Sequence, residues 1–359
     1  MNFNKTYNNI FLLGSLYTLI TIISFGSDLN LLEGKDYIVV ARDGGAGGYE
    51  AFPDICRLPD GRLLCVFYAG YDHVSLPTDK IKKGGKIAGC FSSDEGKTWS
   101  EPFTIFDSEY DDRDPSIAFV SGGRLICNFF SLKPSGENWE GLGTSVIFSD
   151  DLGITWSKAI TVSRTYYTSS PIRELPNGDI VISLYAGEDK KGCGAVAFSN
   201  DRGITWSTPI DIDPGKLKLD AEPDICIIDS KIYIVQRGQN SEPMGYAISN
   251  DLGRTWTISA SLGFPGHCPY LHKTNSGIII LGIRDPAKKG TYIRLSSDGA
   301  KTWSEPILVD NCIGAYPSMV NLKDGSVLIV YYEEGNSSNI RARKFRIGEG
   351  NEVKWLFWN

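Results

Sequence analysis

The sequence predicts an all-β protein, a six-bladed β-propeller, and three observations carry that prediction. The first is an octapeptide pattern, Ser-x-Asp-x-Gly-x-Thr-Trp, that recurs five times: Ser92–Trp99, Ser149–Trp156, Ser199–Trp206, Ser249–Trp256 and Ser296–Trp303. Successive copies lie 57, 50, 50 and 47 residues apart, the span of one four-stranded blade. The second is a Pro-initiated hairpin that recurs six times. The third is a glycine-rich, 42% hydrophobic composition suited to many short strands and turns.

Taken along the chain, residues 1–27 stand apart from the rest. Lys5 precedes an apolar run from Ile10 to Phe25, followed by small residues around Ser27, which reads as a secretory signal or an N-terminal anchor. The propeller is expected over residues 36–359. Its hairpins read Pro53…Asp60-Gly61, Pro115…Gly122-Gly123, Pro171…Asn177-Gly178, Pro223…Asp229-Ser230, Pro269…Ser276-Gly277 and Pro317…Asp324-Gly325. Each turn joins two runs rich in Ile, Val, Leu and Tyr. The octapeptide, or Asp-box, follows late in each of the first five blades. Its Ser and Asp side chains are suited to bonding turn amides, its Gly to positive φ, and its Trp to covering the turn. The last box departs, with Ala300 at the glycine position. The sixth blade has no box, and ring closure is expected to borrow either Tyr37–Ala41 or Asn339–Arg346.

This register also places candidate functional residues. First strands of propeller blades line the channel, and one mouth of the channel is the usual ligand site. Residues before the six prolines should form a ring there: Phe52, Asp114, Ser170, Glu222, Cys268 and Tyr316. A second ring is expected seven residues after each turn: Tyr68, Phe130, Tyr185, Arg237, Arg284 and Tyr332. Carboxylates, guanidiniums and tyrosines thus converge on one funnel, where unpaired charges would be costly without a ligand role.

Composition narrows the function. A net charge of −7 without a basic stretch argues against nucleic acid as the ligand. Three histidines and eight scattered cysteines leave no metal-ligand spacing, so no cofactor is expected. Cys56 and Cys65 are expected to face each other across a hairpin, as small buried residues or as a bridge.

On these residues the chain from about position 36 onward resembles the sialidase superfamily of glycoside hydrolases. Glu222-Pro223 with Val235-Gln236-Arg237 resembles the segment that supplies the carboxylate partner of the nucleophile and one arginine of the substrate triad. Ala315-Tyr316-Pro317-Ser318 resembles the segment carrying the nucleophilic tyrosine, and Gly282-Ile283-Arg284-Asp285 falls where another triad arginine sits, with Arg294 as a competitor. The resemblance implies that Tyr316 attacks the anomeric carbon, that Glu222 takes its proton, and that Arg237 and Arg284 hold an acidic substituent. It implies an aspartate acid/base at Asp72, with His73 as a further proton donor; Asp114, which the register places in the inner ring, is the alternative, while Asp111 and Asp112 beside it read as solvated turn residues. Arg113, Glu50, His267 and the tyrosines Tyr68, Tyr185 and Tyr332 are expected as substrate contacts. One departure is plain. Where sialidases carry Arg-Ile-Pro in the first blade, this chain reads Ala51-Phe52-Pro53, preceded by Glu50.

The expected protein is therefore secreted or periplasmic, acts on terminal, acidic sugars of a glycan, and touches no membrane beyond an N-terminal anchor. The altered first-blade element keeps two rivals open: a neutral-sugar hydrolase or polysaccharide lyase on the same scaffold, and a non-catalytic carbohydrate-binding propeller.

Overall fold

Six antiparallel sheets stand in a ring, each opening on a strand at the channel and ending on one at the periphery. The computed structural model describes residues 36–186, 193–220, 222–334 and 338–358. The leader expected over residues 1–27 lies outside them. The first blade shows the order: Tyr49–Arg57 at the channel, then Leu63–Gly70, Lys86–Ser92 and Phe103–Phe106 outside. The channel strands of the next five blades are Asp111–Val120, the interrupted pair Tyr166–Tyr167 and Arg173–Glu174, then Asp224–Ile228, His267–Lys273 and Ala315–Asn321. In the sixth blade Ile38–Ala41 pairs with Asn339–Ile347 on the outside. Of the two closures expected, the N-terminal strand makes the ring, and Asn339–Ile347 is the blade's own third strand. Among the described residues the only helix is a three-residue 3-10 turn, Glu349–Asn351, and none is long and apolar enough to cross a membrane.

The near-continuous apolar strands follow from where their two faces go. A blade is covered by a neighbour on each side, so both sets of alternate residues are buried. In Leu63–Gly70, Leu63, Cys65 and Phe67 pack against Leu328 and Val330 of blade six. Leu64 and Val66 pack against Leu125, Cys127 and Phe129 of blade two. The same division repeats around the ring, giving one apolar cluster between each pair of adjacent blades.

Each Asp-box is a turn closed by its own side chains. In the first, Ser92 Oγ accepts Gly96 N–H at 2.9 Å and donates to Asp94. Asp94 accepts the Thr98 amide at 2.8 Å and the Thr98 hydroxyl at 2.6 Å. Gly96, Gly153, Gly203 and Gly253 take φ of 84–89°. Ala300 takes 66° in the same place, so the last box holds an alanine in a backbone region that favours glycine.

Two buried aspartates join blades along the channel. Asp54 accepts Ile117 N–H from blade two at 2.7 Å and the Ser318 hydroxyl from blade six. Asp224 accepts Leu271 N–H from blade five at 2.6 Å and pairs with Arg173 of blade three at 3.0 Å. All eight cysteines are free; Cys56 lies opposite Leu64 and Cys65 opposite Ile55, one step out of the facing register expected for them.

Candidate active site

The residues before the prolines reach the channel mouth through a repeated backbone device. Phe52, Asp114, Glu222, Cys268 and Tyr316 have φ between 44° and 52°, a left-handed conformation that costs a non-glycine residue about 1 kcal/mol or more. At four of these places the ladder carries one extra residue on the channel strand. Ala51 opposes Tyr68 while Asp54 opposes Val66, and the same step recurs at Arg113/Ser116, His267/Tyr270 and Ala315/Ser318. Such a bulge re-aims one side chain, and the proline beside it has no N–H to leave unpaired. Ser170 lacks positive φ, and its blade is the one whose channel strand is interrupted.

Two of these side chains meet. Tyr316 Oη donates to Glu222 Oε1 at 2.5 Å. Glu222 Oε2 accepts from Arg237 Nη1 at 2.8 Å and from the Cys268 amide at 3.1 Å. Burial pushes the Glu222 carboxyl up, but the Arg237 charge, the Tyr316 hydroxyl and then Arg284 hold it below the usual range. Burial drives the Tyr316 phenol well above 10, and the neighbouring charges of Glu222 and Asp114 add to that. At rest the proton therefore sits on the phenol and the carboxylate is ionised, ready to accept it. Arg284 lies 5.5 Å above the Tyr316 ring and gives Nε and Nη2 to the Gly314 carbonyl at 2.9 and 2.5 Å. Asp114, Phe52, Cys268 and Tyr316 line a narrow recess at the channel. The Asp114 carboxyl is pushed up to about 6 by burial, against the pull of Arg113. Tyr185 stands near enough to Asp114 and Glu222 to feel both charges. His267 is held at the rim by Nε2 against the Asn240 carbonyl at 2.6 Å.

Other expected contacts are placed elsewhere, each for a visible reason. Tyr68 and Tyr332 are fully buried, with hydroxyls on Asp111 and Glu334, both at 2.7 Å, so neither offers a face to a sugar. Arg113 is buried between Asp111 and Asp114, both at 3.5 Å, and donates to the His73 carbonyl. Asp72 is exposed and turns its carboxylate onto the His73 amide at 2.7 Å, which is a loop cap. Asp111 and Asp112, which read as solvated turn residues in sequence, are fully buried. Sequence reasoning passed over Tyr49, which bonds to both His73 and Glu334 at the funnel rim, and Glu334, which lies 3.7 Å from His73 Nδ1. Neither carries a motif, and they lie 285 residues apart.

Glu50 is also buried and accepts the Gly44 amide at 3.0 Å, so it is withdrawn from any ligand. Burial, with Asp43 nearby, pushes its carboxyl from 4.5 up to about 8. The folded chain thus keeps a proton that the unfolded chain has lost, and stability falls as pH rises from about 4.5 to about 8. Glu50→Gln removes that loss. It is expected to gain about 1–3 kcal/mol over the parent above pH 8 and little near pH 5, read by calorimetric melting at the two pH values.

A six-bladed propeller built on repeated Asp-boxes is the fold class of this chain. The chain belongs to the BNR repeat-like domain family, whose model matches residues 61–329, and so to the sialidase/BNR-repeat superfamily. It is 25% identical over 305 residues to a sialidase of Clostridium perfringens. That match takes in 80% of this chain but only 65% of the relative's length. Among solved structures, a protein of unknown function from Dyadobacter fermentans superposes with a TM-score of 0.75 at 19% identity, covering 86% of this chain and 97% of that one. The intramolecular trans-sialidase of Ruminococcus gnavus gives 0.68 at 15% identity, covering 89% and 99%. These superpositions establish the fold. At family level the similarity is to sialidase-type glycoside hydrolases.

Proposed function

We propose that the protein is an exo-acting, exported glycoside hydrolase that removes a terminal sugar from a glycan through a covalent tyrosyl intermediate. The observation that carries this reading is the 2.5 Å bond from Tyr316 to a Glu222 carboxylate held ionised by Arg237. Tyr316 Oη bonds to the anomeric carbon as its proton passes to Glu222, and water later displaces the phenol, which recovers that proton. A neutral phenol approaches an acidic sugar without the repulsion a carboxylate nucleophile would meet. Arg237 and Arg284, the two guanidiniums beside the pair, hold an acid group of the glycone. At the first-blade position where sialidases carry an arginine, this chain has Ala51, fully buried opposite Tyr68. The sugar is therefore held by two guanidiniums, and sialic acid is one acidic sugar to test among several. Two proton-carrying side chains stand near the pair: Asp114, which lines the recess with Tyr316, and His73, which packs on Phe52 at the rim.

Incubating the chain with sialosides, uronic-acid glycans and neutral oligosaccharides, and assaying free sugar, tests the reading. Release of a saturated acidic sugar is the expected result. An unsaturated, ultraviolet-absorbing product would make the protein a lyase, and binding without release would make it a lectin-like propeller.

A further inference from the structure

The loop after the second strand of blade one places His73 with unusual care for a half-exposed residue. Both its backbone groups are held by charged side chains: Asp72 accepts its amide at 2.7 Å and Arg113 donates to its carbonyl at 2.6 Å. Its ring stands edge-on to Phe52 at 5.5 Å between centroids, and Tyr316 packs on the same Phe52 at 4.8 Å. One aromatic ring thus separates the imidazole from the nucleophile.

The hydrogen bonds fix which ring nitrogen carries the proton. Tyr49 Oη and Tyr332 Oη donate to the two oxygens of Glu334, each at 2.7 Å. Burial pushes Glu334 up, but His73 beside it and the hydrogen bonds from Tyr332 and Tyr49 hold it down to about 2, so it is an acceptor only. Tyr49 has one hydroxyl proton, and Glu334 takes it. The 2.8 Å contact between Tyr49 Oη and His73 Nδ1 must then be donated by Nδ1–H. Nε2 has no protein partner among the described residues and is the nitrogen left to exchange protons. Glu334 Oε1, 3.7 Å from Nδ1, offsets the charge of an imidazolium. Of the other two acid candidates, Asp72 is spent on the loop, and Asp114 is only 6% exposed within the recess that Tyr316 lines.

We propose that His73 is the general acid and base of the reaction, acting through Nε2, with Tyr49 and Glu334 as the residues that position it. This rests on the hydrolase reading above. In the first step the imidazolium, protonated at both nitrogens, gives its Nε2 proton to the glycosidic oxygen as the carbon–oxygen bond breaks, Tyr316 bonds to the anomeric carbon and the phenol proton passes to Glu222, leaving His73 as the neutral Nδ1–H tautomer. In the second, neutral Nε2 takes a proton from the attacking water, and the carbon–Tyr316 bond breaks.

The test compares two leaving groups on the sugar that the wild type releases: a second sugar, which needs protonation, and nitrophenol, which does not. His73→Ala is expected to lose about 10²–10⁴-fold in kcat/KM on the glycan and less than about tenfold on the nitrophenyl glycoside. Asp114→Asn should lower both alike. Glu334→Gln should show the His73 pattern more weakly, and nitrogen NMR of the imidazole should show Nδ1–H in the wild type and a shifted tautomer in that variant. Equal losses on both substrates in His73→Ala, the split pattern in Asp114→Asn, or an Nε2–H tautomer in the wild type would each overturn the assignment. A wild type that releases neither leaving group overturns the hydrolase reading itself, and the assignment with it.

Discussion

Tyr316→Phe is expected to lower kcat at least about 10³-fold while leaving melting temperature and glycan affinity almost unchanged. The substitution removes one oxygen, and with it the only nucleophile that Glu222 contacts. Phe keeps the ring on Phe52, so the recess keeps its shape. Glu222 keeps Arg237 and the Cys268 amide, so no buried charge is left unpaired. Glu222→Gln should cost a similar factor, because an amide cannot take the phenol proton. The two act as a unit, and the double variant should be little worse than either alone. A single-turnover assay for trapped glycosyl-enzyme reads the same point directly: the wild type accumulates it and Tyr316→Phe does not. Full activity in Tyr316→Phe would remove the nucleophile assignment and leave the fold argument untouched.

Why some of this was readable and some was not follows from the range over which each signal acts. The Asp-box closes on itself within eight residues, so its bonds are written in one octapeptide, and five copies give the ring. The X-Pro positions share one register around the ring, four of them at the same bulge, and that register brought Glu222 and Tyr316, 94 residues apart, to the same mouth. Burial was harder. Tyr68 and Tyr332 sit in the second ring as expected, yet bulges and bulky neighbours cover them completely. Asp111 and Asp112 read as turn residues because acidic runs are ordinarily solvated. Asp111 is buried under the loop 71–85 folding back, and Asp112 is held by Ser108 and by Ser131 of the neighbouring strand, contacts that no local pattern announces. The same applies to Glu334, which beside its neighbour Tyr332 takes partners from blade one and the loop beyond it.

That loop is where the second large effect is expected. Asp111 is fully buried and accepts three hydrogen bonds: from Tyr68 Oη at 2.7 Å, and from the amides of Ser75 and Gly85 at 3.0 Å each. Gly84, beside it, approaches Ser75 O and Tyr110 O so closely that a Cβ would lie 2.5 and 2.6 Å from them, so the loop seats tightly on this carboxylate. Arg113 lies 3.5 Å away, and its own hydrogen bond goes to His73 O. Asp111→Ala leaves the buried Ser75 amide unpaired, at about 1–3 kcal/mol, strips the Gly85 amide and Tyr68 hydroxyl to longer bonds with Ser75 O at 3.1 Å and Asp72 O at 3.4 Å, and takes the carboxylate from beside Arg113. A loss of about 3–5 kcal/mol in denaturant unfolding is expected, against about 1 kcal/mol for Tyr68→Phe, which removes a single bond. Because the freed segment carries His73, kcat should fall as well, although Asp111 touches no ligand. A loss below about 1 kcal/mol would mean that the loop is held by its backbone alone, and that the carboxylate is incidental to where His73 stands.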